Sequence, residues 1–243
     1  SAIISGLIKQ GHATTHIDVL EPLAVAREKL HASFGIIAQG QSGAFLSAAS
    51  LVVWAVKPQN FKDAALAVAP HTAQALHLSV AAGIRSDSIA AWLGSERIVR
   101  AMPNTPALIG QGITGLFARA SVTSSNKTLV EQVVATTGES LWLDAEEQLD
   151  AVTALSGSGP AYVFYFMEAM TMAGVEMGLS REQAHQLAVS TFAGASTLAK
   201  NGSEAPQVLR QRVTSKGGTT FAAISSMEEN DVRALFIDAL YAA

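Results

Sequence analysis

The fold class is decided by an apolar run at residues 51–56, Leu51-Val52-Val53-Trp54-Ala55-Val56. A nearly continuous apolar run of this length is typical of a strand that is buried on both faces of a sheet. Two similar runs, at Leu76–Val80 and Arg97–Met102, each follow a stretch with helical periodicity. Such strands, separated by helices, predict a parallel sheet with helices on both faces.

The same alternation extends in both directions from these strands. Toward the N-terminus, Ile17–Leu20 is predicted to be a strand and Leu23–Leu30 a helix. Toward the C-terminus, Ser121–Thr137 is predicted to be a helix and Ser140–Leu143 a last strand. We therefore predict an α/β dinucleotide-binding domain of the Rossmann type over residues 1–145.

The last hundred residues have a different pattern, in which helical periodicity is interrupted by glycine and proline. The segment Ser158-Gly159-Pro160 predicts a helix start, because proline is tolerated in the first turn of a helix. Gly178 predicts a helix end, and Ser180 with Gln183 forms the capping-box pattern of the next helix. These signals predict an all-α domain over residues 146–243.

The composition excludes several classes of function. Of the 243 residues, 49% are apolar and 15% are charged, which is typical of a folded soluble protein. The net charge of −4 comes without a basic stripe, so we expect no nucleic-acid partner. The chain has no cysteine, which excludes disulfides, thiolate metal sites and thiol nucleophiles and is compatible with a cytoplasmic location.

The most membrane-like stretch is Ala161–Leu179, which is interrupted by Glu168 and Glu176. Carboxylates are unfavourable inside a bilayer, so we expect no membrane span here. A helix that is buried in a helical core or in a dimer is the better interpretation.

Side chains that often carry catalysis form few patterns in this chain. Most of the six histidines are interpreted as surface or helix-end residues, and we predict no metal site. Two acidic pairs, Glu146–Glu147 and Glu228–Glu229, are interpreted as solvated helix faces and not as catalytic dyads.

The glycine fingerprint of dinucleotide-binding folds is not found where it would be needed. Gly40–Gly43 and Gly110–Gly112 do not follow the first strand of a βαβ unit. However, Ser1–Gln10 resembles a helix that leads into the Ile17–Leu20 strand, and in a Rossmann unit the glycine loop precedes that helix. We therefore expect the first strand and glycine loop of this unit to lie before residue 1, and the last helix to continue past residue 243.

Glu21 directly follows the predicted Ile17–Leu20 strand. At this position a Rossmann fold places a carboxylate on the adenosine ribose hydroxyls, which favours NADH over NADPH because the carboxylate repels a 2′-phosphate. The alternative is an ordinary exposed glutamate before Pro22, at the start of a helix. The residues leave both interpretations open.

Three other predicted strands are followed by segments that suit a ligand at the carboxyl edge of the sheet. The lysine in Ala55–Pro58 is either a solvated turn residue or a contact to phosphate or ribose. The segment Ala81–Gly83 either lets a ligand approach the backbone or forms a tight turn. In Met102–Pro106 two prolines restrict the loop, and its asparagine and threonine offer polar groups for a nicotinamide amide or a ribose.

Two helix starts in the second domain are rich in serine, threonine and glycine. Ser156–Ala161 is either an anion site, with free N–H groups and hydroxyls, or a plain helix start. Val213–Thr220 has two glycines flanked by hydroxyls and precedes a helical stretch. Two such elements in one small domain favour binding of a small carboxylate.

Taken in order along the chain, four segments resemble the landmarks of the pyrroline-5-carboxylate reductase family. They are Ala55–Pro58, Met102–Pro106, Leu155–Ala161 and Val213–Thr220. The resemblance implies a Rossmann-type domain followed by an all-α dimerisation domain, in a homodimer that some members assemble further into decamers.

The resemblance also implies an activity and a set of site residues. The activity is reduction of 1-pyrroline-5-carboxylate to L-proline with NADPH or NADH, the last step of proline biosynthesis in the cytoplasm. The backbone at Gly218 and Thr219, together with Ser215, would hold the substrate carboxylate, and the catalytic Thr220 would lie near the ring nitrogen. The cofactor-binding residues are Glu21, Ala55, Val56, Lys57, Pro58, Ala81, Ala82, Gly83, Asn104, Thr105 and Pro106.

Two other interpretations are weaker. A β-hydroxyacid dehydrogenase would need a lysine on the central helix of the second domain, and Ala161–Leu179 contains none. A catalytically silent dinucleotide-binding or dimerisation module would not require Val213–Thr220 to suit any chemistry.

Overall fold

The computed structural model describes residues 2–243, so Ser1 lies outside the described residues. The chain forms two compact units, of which the first ends at Gly157 and the second is Ser158–Ala243. Residues 146–157, which the sequence-based division assigns to the helical domain, pack in the first unit.

The described part of the first unit combines a sheet with helices. Its strands are β1 (Leu51–Trp54), β2 (Leu76–Ser79), β3 (Ile98–Met102), β4 (Gly112–Ala118) and β5 (Gly138–Trp142). Its α-helices are α1 (Ala2–Lys9), α2 (Ala24–Phe34), α3 (Pro58–Val68), α4 (Ser86–Leu93), α5 (Ser124–Val134) and α6 (Gln148–Val152), and α6 continues into a π-helix at Thr153–Gly157.

The strands form one sheet in the order β1-β2-β3-β4-β5. Strands β1, β2 and β3 are parallel, β4 is antiparallel to β3, and β5 is parallel to β4. The predicted strands at residues 51–56, 76–80, 97–102 and 140–143 are β1, β2, β3 and β5, each confirmed within a few residues.

The structure differs from the predicted strands at two places. Ile17–Leu20 is not a strand, since its ladder is reduced to a single parallel bridge between Leu20 and Gln39. Strand β4 was not predicted, because its two glycines are unfavourable in strands and interrupt the pattern on which strand prediction relies.

Apolar side chains pack on both faces of the sheet. On one face Trp54 packs with Phe61 of α3 and Ile89 of α4, and on the other Leu78 packs with Val130 of α5. All four residues of β2 are buried, as expected for a strand that is covered on both faces. The α/β fold class is confirmed in this unit.

The second unit consists of α7 (Gly159–Glu176), α8 (Arg181–Asn201), α9 (Pro206–Arg212), α10 (Thr219–Glu229) and α11 (Val232–Tyr241). Helix α7 begins with proline in its first turn, as predicted. It is followed by Gly178, whose φ of 99° closes the last turn and lets the Leu179 N–H donate to the Gly174 carbonyl at 3.0 Å. The predicted capping box between Ser180 and Gln183 starts α8.

The helical unit has little core of its own. Helices α7 and α8 pack closely where Gly174 faces Ala184, and the buried residues of this unit are Thr171, Ala184 and Ala188. Large apolar side chains are left at its surface, among them Phe164 at 62% and Tyr165 at 69% exposure. Exposed apolar surface on this scale indicates an interface with another molecule.

Within residues 2–243, no helix combines the length and the apolar character that crossing a bilayer requires.

Candidate functional site

Three of the predicted cofactor segments lie together at one edge of the sheet. Because β1, β2 and β3 are parallel, the residues that follow them emerge at the same edge. These residues are the predicted set Ala55, Val56, Lys57, Pro58, Ala81, Ala82, Gly83, Asn104, Thr105 and Pro106. In open α/β sheets this edge is where nucleotides bind.

The backbone of this edge is accessible at two of its segments. Lys57 is exposed and precedes α3, which has Pro58 in its first turn. Gly83 has a φ of 74°, and a Cβ added there would meet no atom within 4 Å. The edge therefore fits a dinucleotide, which needs close approach to backbone N–H groups and a helix N-terminus.

The amide of Asn104 is engaged within the protein. Its Oδ1 accepts the Ile113 N–H at 3.0 Å, and its Nδ2 donates to the Ser156 hydroxyl at 3.2 Å. The predicted role of this side chain toward the nicotinamide thus competes with two internal hydrogen bonds. Thr105 next to it is exposed.

Glu21 follows the isolated bridge at Leu20, outside the five-stranded sheet. Its Oε1 accepts the Leu23 N–H at 2.9 Å, and its backbone carbonyl accepts from Arg27 at 2.9 Å. The guanidinium of Arg27 also donates to the Pro22 carbonyl at 2.8 Å. Arg27, the cationic residue nearest to Glu21 in sequence, therefore donates to the backbone of this turn. The contact of Glu21 with the ribose stays a prediction.

The predicted substrate residues lie at the start of α10. Gly217 has a φ of 79° and turns the chain, and the Gly218 N–H donates to the Ser215 carbonyl at 3.0 Å. Gly218 precedes α10 in extended conformation and cannot cap it with a side chain. The N–H groups of Thr219 and Thr220 have no acceptor carbonyl within their own helix, so they can donate hydrogen bonds to an anion.

A cavity of about 230 Å³ lies beside this loop. It is lined by Arg210, Gln211, Thr214 and Phe221, which flank the predicted substrate residues in sequence. Arg210 is paired with Glu228 at 3.1 Å. The loop therefore has an open volume next to it with a cation on its wall.

Sequence reasoning missed a buried charged cluster around Glu146. The Oε1 of Glu146 accepts the Ser86 N–H at 2.6 Å and Arg100 at 2.7 Å, and its Oε2 accepts the Ser86 hydroxyl at 2.7 Å. Glu146 is 7% and Arg100 8% exposed. The interpretation of Glu146 as a solvated residue was wrong, whereas Glu147 is exposed and pairs with Arg85.

The pKa of Glu146 lies below its ordinary value. Burial alone would raise the pKa, but the hydrogen bonds from Ser86 and Arg100 favour the carboxylate and outweigh burial. The partners of Glu146 lie 46 and 60 residues earlier in the chain. No local sequence signal marks such a long-range cluster.

Among residues 2–243, no group of three or more histidine, cysteine, aspartate or glutamate side chains could hold a metal ion.

Comparison with known proteins decides the family. The chain is 45% identical to pyrroline-5-carboxylate reductase of Pseudomonas aeruginosa, in an alignment that covers 100% of the chain and 90% of the relative. The chain belongs to the pyrroline-5-carboxylate reductase family. A family model described as pyrroline-5-carboxylate reductase dimerisation matches residues 146–243, which makes the helical segment a self-association domain of this family.

Structures of family members agree with this assignment. Pyrroline-5-carboxylate reductase from Coxiella burnetii is 37% identical with a TM-score of 0.92, over 99% of this chain and 90% of that one. The enzyme from Plasmodium falciparum, with NADP bound, is 27% identical with a TM-score of 0.87 over the same shares. The predicted family, fold class, reductase activity and NAD(P)H cofactor class are confirmed.

Proposed function

We propose that this pyrroline-5-carboxylate reductase binds its imino acid at the start of α10. The observation that carries this assignment is the Ser215–Thr220 turn, which presents three hydroxyls and free N–H groups beside an open cavity. The product is L-proline, as the names of the relatives imply. The backbone N–H groups of α10 and the Ser215 hydroxyl bind the carboxylate, in the manner of an anion at a helix N-terminus.

Thr220 is the residue we assign to the ring nitrogen. Its hydroxyl can donate a hydrogen bond to that nitrogen or accept one when the imine binds protonated. The nitrogen must hold a proton when the carbon beside it is reduced, so Thr220 orients and stabilises the group that becomes the amine. When the imine binds unprotonated, water can supply that proton through the Thr220 hydroxyl.

The cofactor is assigned to the carboxyl edge of β1, β2 and β3. In this assignment Ala55–Pro58, Ala81–Gly83 and Asn104–Pro106 would form the wall, and the exposed Lys57 would neutralise phosphate charge. When bound, the reduced nicotinamide supplies the hydride that the imine carbon accepts. The chain's own contribution is to orient both reactants and to bind the carboxylate.

The activity assay follows the oxidation of NADPH and of NADH by absorbance, with 1-pyrroline-5-carboxylate and with a panel of hydroxyacids. We expect turnover of the imine and none of the hydroxyacids, since α7 contains no lysine to act on a hydroxyl. Turnover of a hydroxyacid alone would favour the dehydrogenase alternative. A chain that binds either cofactor but turns over neither substrate class would be a silent binding module.

The proposal includes a homodimer formed through the helical unit, with assembly of dimers into decamers as the larger alternative. The apolar surface of α7 supports the dimer, because Phe164 and Tyr165 are exposed in the single chain. Light scattering at micromolar concentration should show a dimer or a multiple of it. A folded, stable monomer would exclude this assembly. The proposal also places the enzyme in the cytoplasm, and cell fractionation tests that location.

A further inference from the structure

We propose that Asn104 is a positioning residue, which locks the loop after β3 to the π-helix at Thr153–Gly157 and does not bind the cofactor with its amide. This inference rests on the proposed function, because it concerns the segment assigned to the cofactor. It starts from the way in which β3 ends.

The ladder between β3 and β4 stops at a proline. Met102 is paired with Gly115 in the antiparallel register, so the next positions along the two strands would place residue 104 opposite Ile113. Pro103 has no N–H and cannot continue the ladder. The Oδ1 of Asn104 accepts the Ile113 N–H at 3.0 Å, so the side chain takes the place of a backbone carbonyl.

This first hydrogen bond determines which way the amide points. The Ile113 N–H can only donate, so the atom facing it must be the oxygen of the amide. The nitrogen is then directed toward Ser156, whose Oγ lies 3.2 Å away. Asn104 therefore connects β4 to the π-helix through two atoms of one rigid group.

A second contact holds the same two segments together. The terminal methyl of Met102 packs over Gly157, where an added Cβ would lie 2.5 Å from it. Short π-helical turns occur frequently at functional sites, and this one ends directly before the glycine-rich start of α7. The loop carrying Thr105 and Pro106 is thus fixed at its base by Asn104 and Met102.

The two roles of Asn104 predict different couplings with Ser156. If Asn104 acts through Ser156, then Ser156→Ala should weaken cofactor binding although the serine is not assigned to the cofactor. If Asn104 binds the cofactor directly, Asn104→Ala should weaken binding while Ser156→Ala leaves it unchanged.

The test is a double-mutant cycle with wild type, Asn104→Ala, Ser156→Ala and the double variant. The Kd for NADPH and for NADH is measured by nicotinamide fluorescence, at a temperature where circular dichroism shows all four proteins folded. We expect Ser156→Ala to raise Kd by about three- to tenfold, the range for one net hydrogen bond. Asn104→Ala should raise Kd at least as much, and the double variant should match Asn104→Ala.

Two results would overturn the proposal. In the first, the fold-change in Kd of the double variant equals the product of the fold-changes of the two single variants. In the second, Ser156→Ala leaves Kd unchanged. Should Asn104→Ala not fold, Asn104→Asp replaces it, since its oxygens can accept from both Ile113 and Ser156. Under the proposal, adding Ser156→Ala to Asn104→Asp then raises Kd further by the same factor as in wild type. Asn201→Ala, at the end of α8, is the control for an asparagine change elsewhere.

This readout is separate from turnover. A wild-type enzyme that binds NADPH but does not reduce 1-pyrroline-5-carboxylate would refute the proposed function, and the cycle in Kd would still decide the role of Asn104. A normal turnover together with multiplying effects on Kd would refute the positioning role alone.

Discussion

Replacing Glu146 by alanine should strongly destabilise the α/β unit, whereas the same change at Glu147 should not. Glu146 is buried and receives hydrogen bonds from Ser86 at 2.6 and 2.7 Å and from Arg100 at 2.7 Å. Without the carboxylate, the buried guanidinium of Arg100 loses its counter-charge. Removing one partner of a buried ion pair costs about 3–5 kcal/mol, a large share of the roughly 5–15 kcal/mol that stabilises a typical domain.

The assay is urea unfolding at pH 7 and at one protein concentration, followed by the fluorescence of the tryptophans, of which Trp54 is buried in the sheet. Glu147→Ala is the matched control, because Glu147 is exposed and pairs with exposed Arg85. The double variant Glu146→Leu with Arg100→Met removes both charges and should recover part of the loss, because the buried Ser86 N–H still lacks its acceptor. A Glu146→Ala protein within about 1 kcal/mol of wild type would refute the reasoning.

The same cluster predicts a dependence on pH. A carboxyl group whose pKa is lower in the folded chain stabilises the fold above its unfolded pKa, and this stabilisation is lost as the pH falls through the folded pKa. The pKa of Glu146 lies below the ordinary 4.5. The difference in unfolding free energy between wild type and Glu146→Gln should therefore be constant above about pH 5 and shrink below it.

Four further outcomes are expected. Thr220→Ala should lower kcat/KM about tenfold, which corresponds to the loss of a transition-state hydrogen bond of about 1.4 kcal/mol. Thr220→Ser retains the hydroxyl and should retain most of the activity. Equal kcat/KM values for Thr220→Ala and wild type would exclude Thr220 from the mechanism. If Glu21 contacts the ribose, the kcat/KM of the wild type should be about tenfold higher with NADH than with NADPH, and Glu21→Ser should reduce this ratio. A wild-type preference for NADPH, or a ratio that Glu21→Ser does not change, would show that Glu21 is an ordinary surface residue. Gly138→Ala should cost at least about 2 kcal/mol by urea unfolding, because φ is 141° and a Cβ would overlap the Gly112 carbonyl; a stable variant would contradict that geometry. Burial lowers the pKa of His77 to about 4, so the free energy of unfolding should fall by about 3 kcal/mol as the pH falls from 6.5 to 4. His77→Gln should make the free energy of unfolding depend less on pH in this range. An equal pH dependence in the variant and the wild type would exclude His77 as the cause.

Much of the sheet could be predicted because local patterns carry it. Strands β1, β2 and β3 are apolar runs between helices, and the segments that follow them were predicted to lie at the carboxyl edge of the sheet, where their parallel pairing brings them. The capping box at Ser180 and Gln183 is an equally local signal, and it was confirmed. Patterns of this kind depend on residues that are close in sequence.

The remaining features depend on partners that are distant in sequence. Strand β4 is stabilised by pairing on both sides, which compensates for its glycines. Glu146 looks like a surface residue until Ser86 and Arg100 are placed beside it. Asn104 was predicted to contact the cofactor because its amide is polar, and its hydrogen bonds to Ile113 and Ser156 cannot be read from the loop alone.

The sparse core of the helical unit has a consequence for how the enzyme accumulates in a cell. The sheet draws both of its apolar clusters from one chain, so a newly made polypeptide can complete that half by a first-order process. In the proposed dimer, the helical half, whose buried residues are Thr171, Ala184 and Ala188, gains further burial from a second copy, which is a second-order process. At low expression, new chains meet seldom and are exposed to proteases for longer, so active enzyme should rise more steeply than the number of chains made.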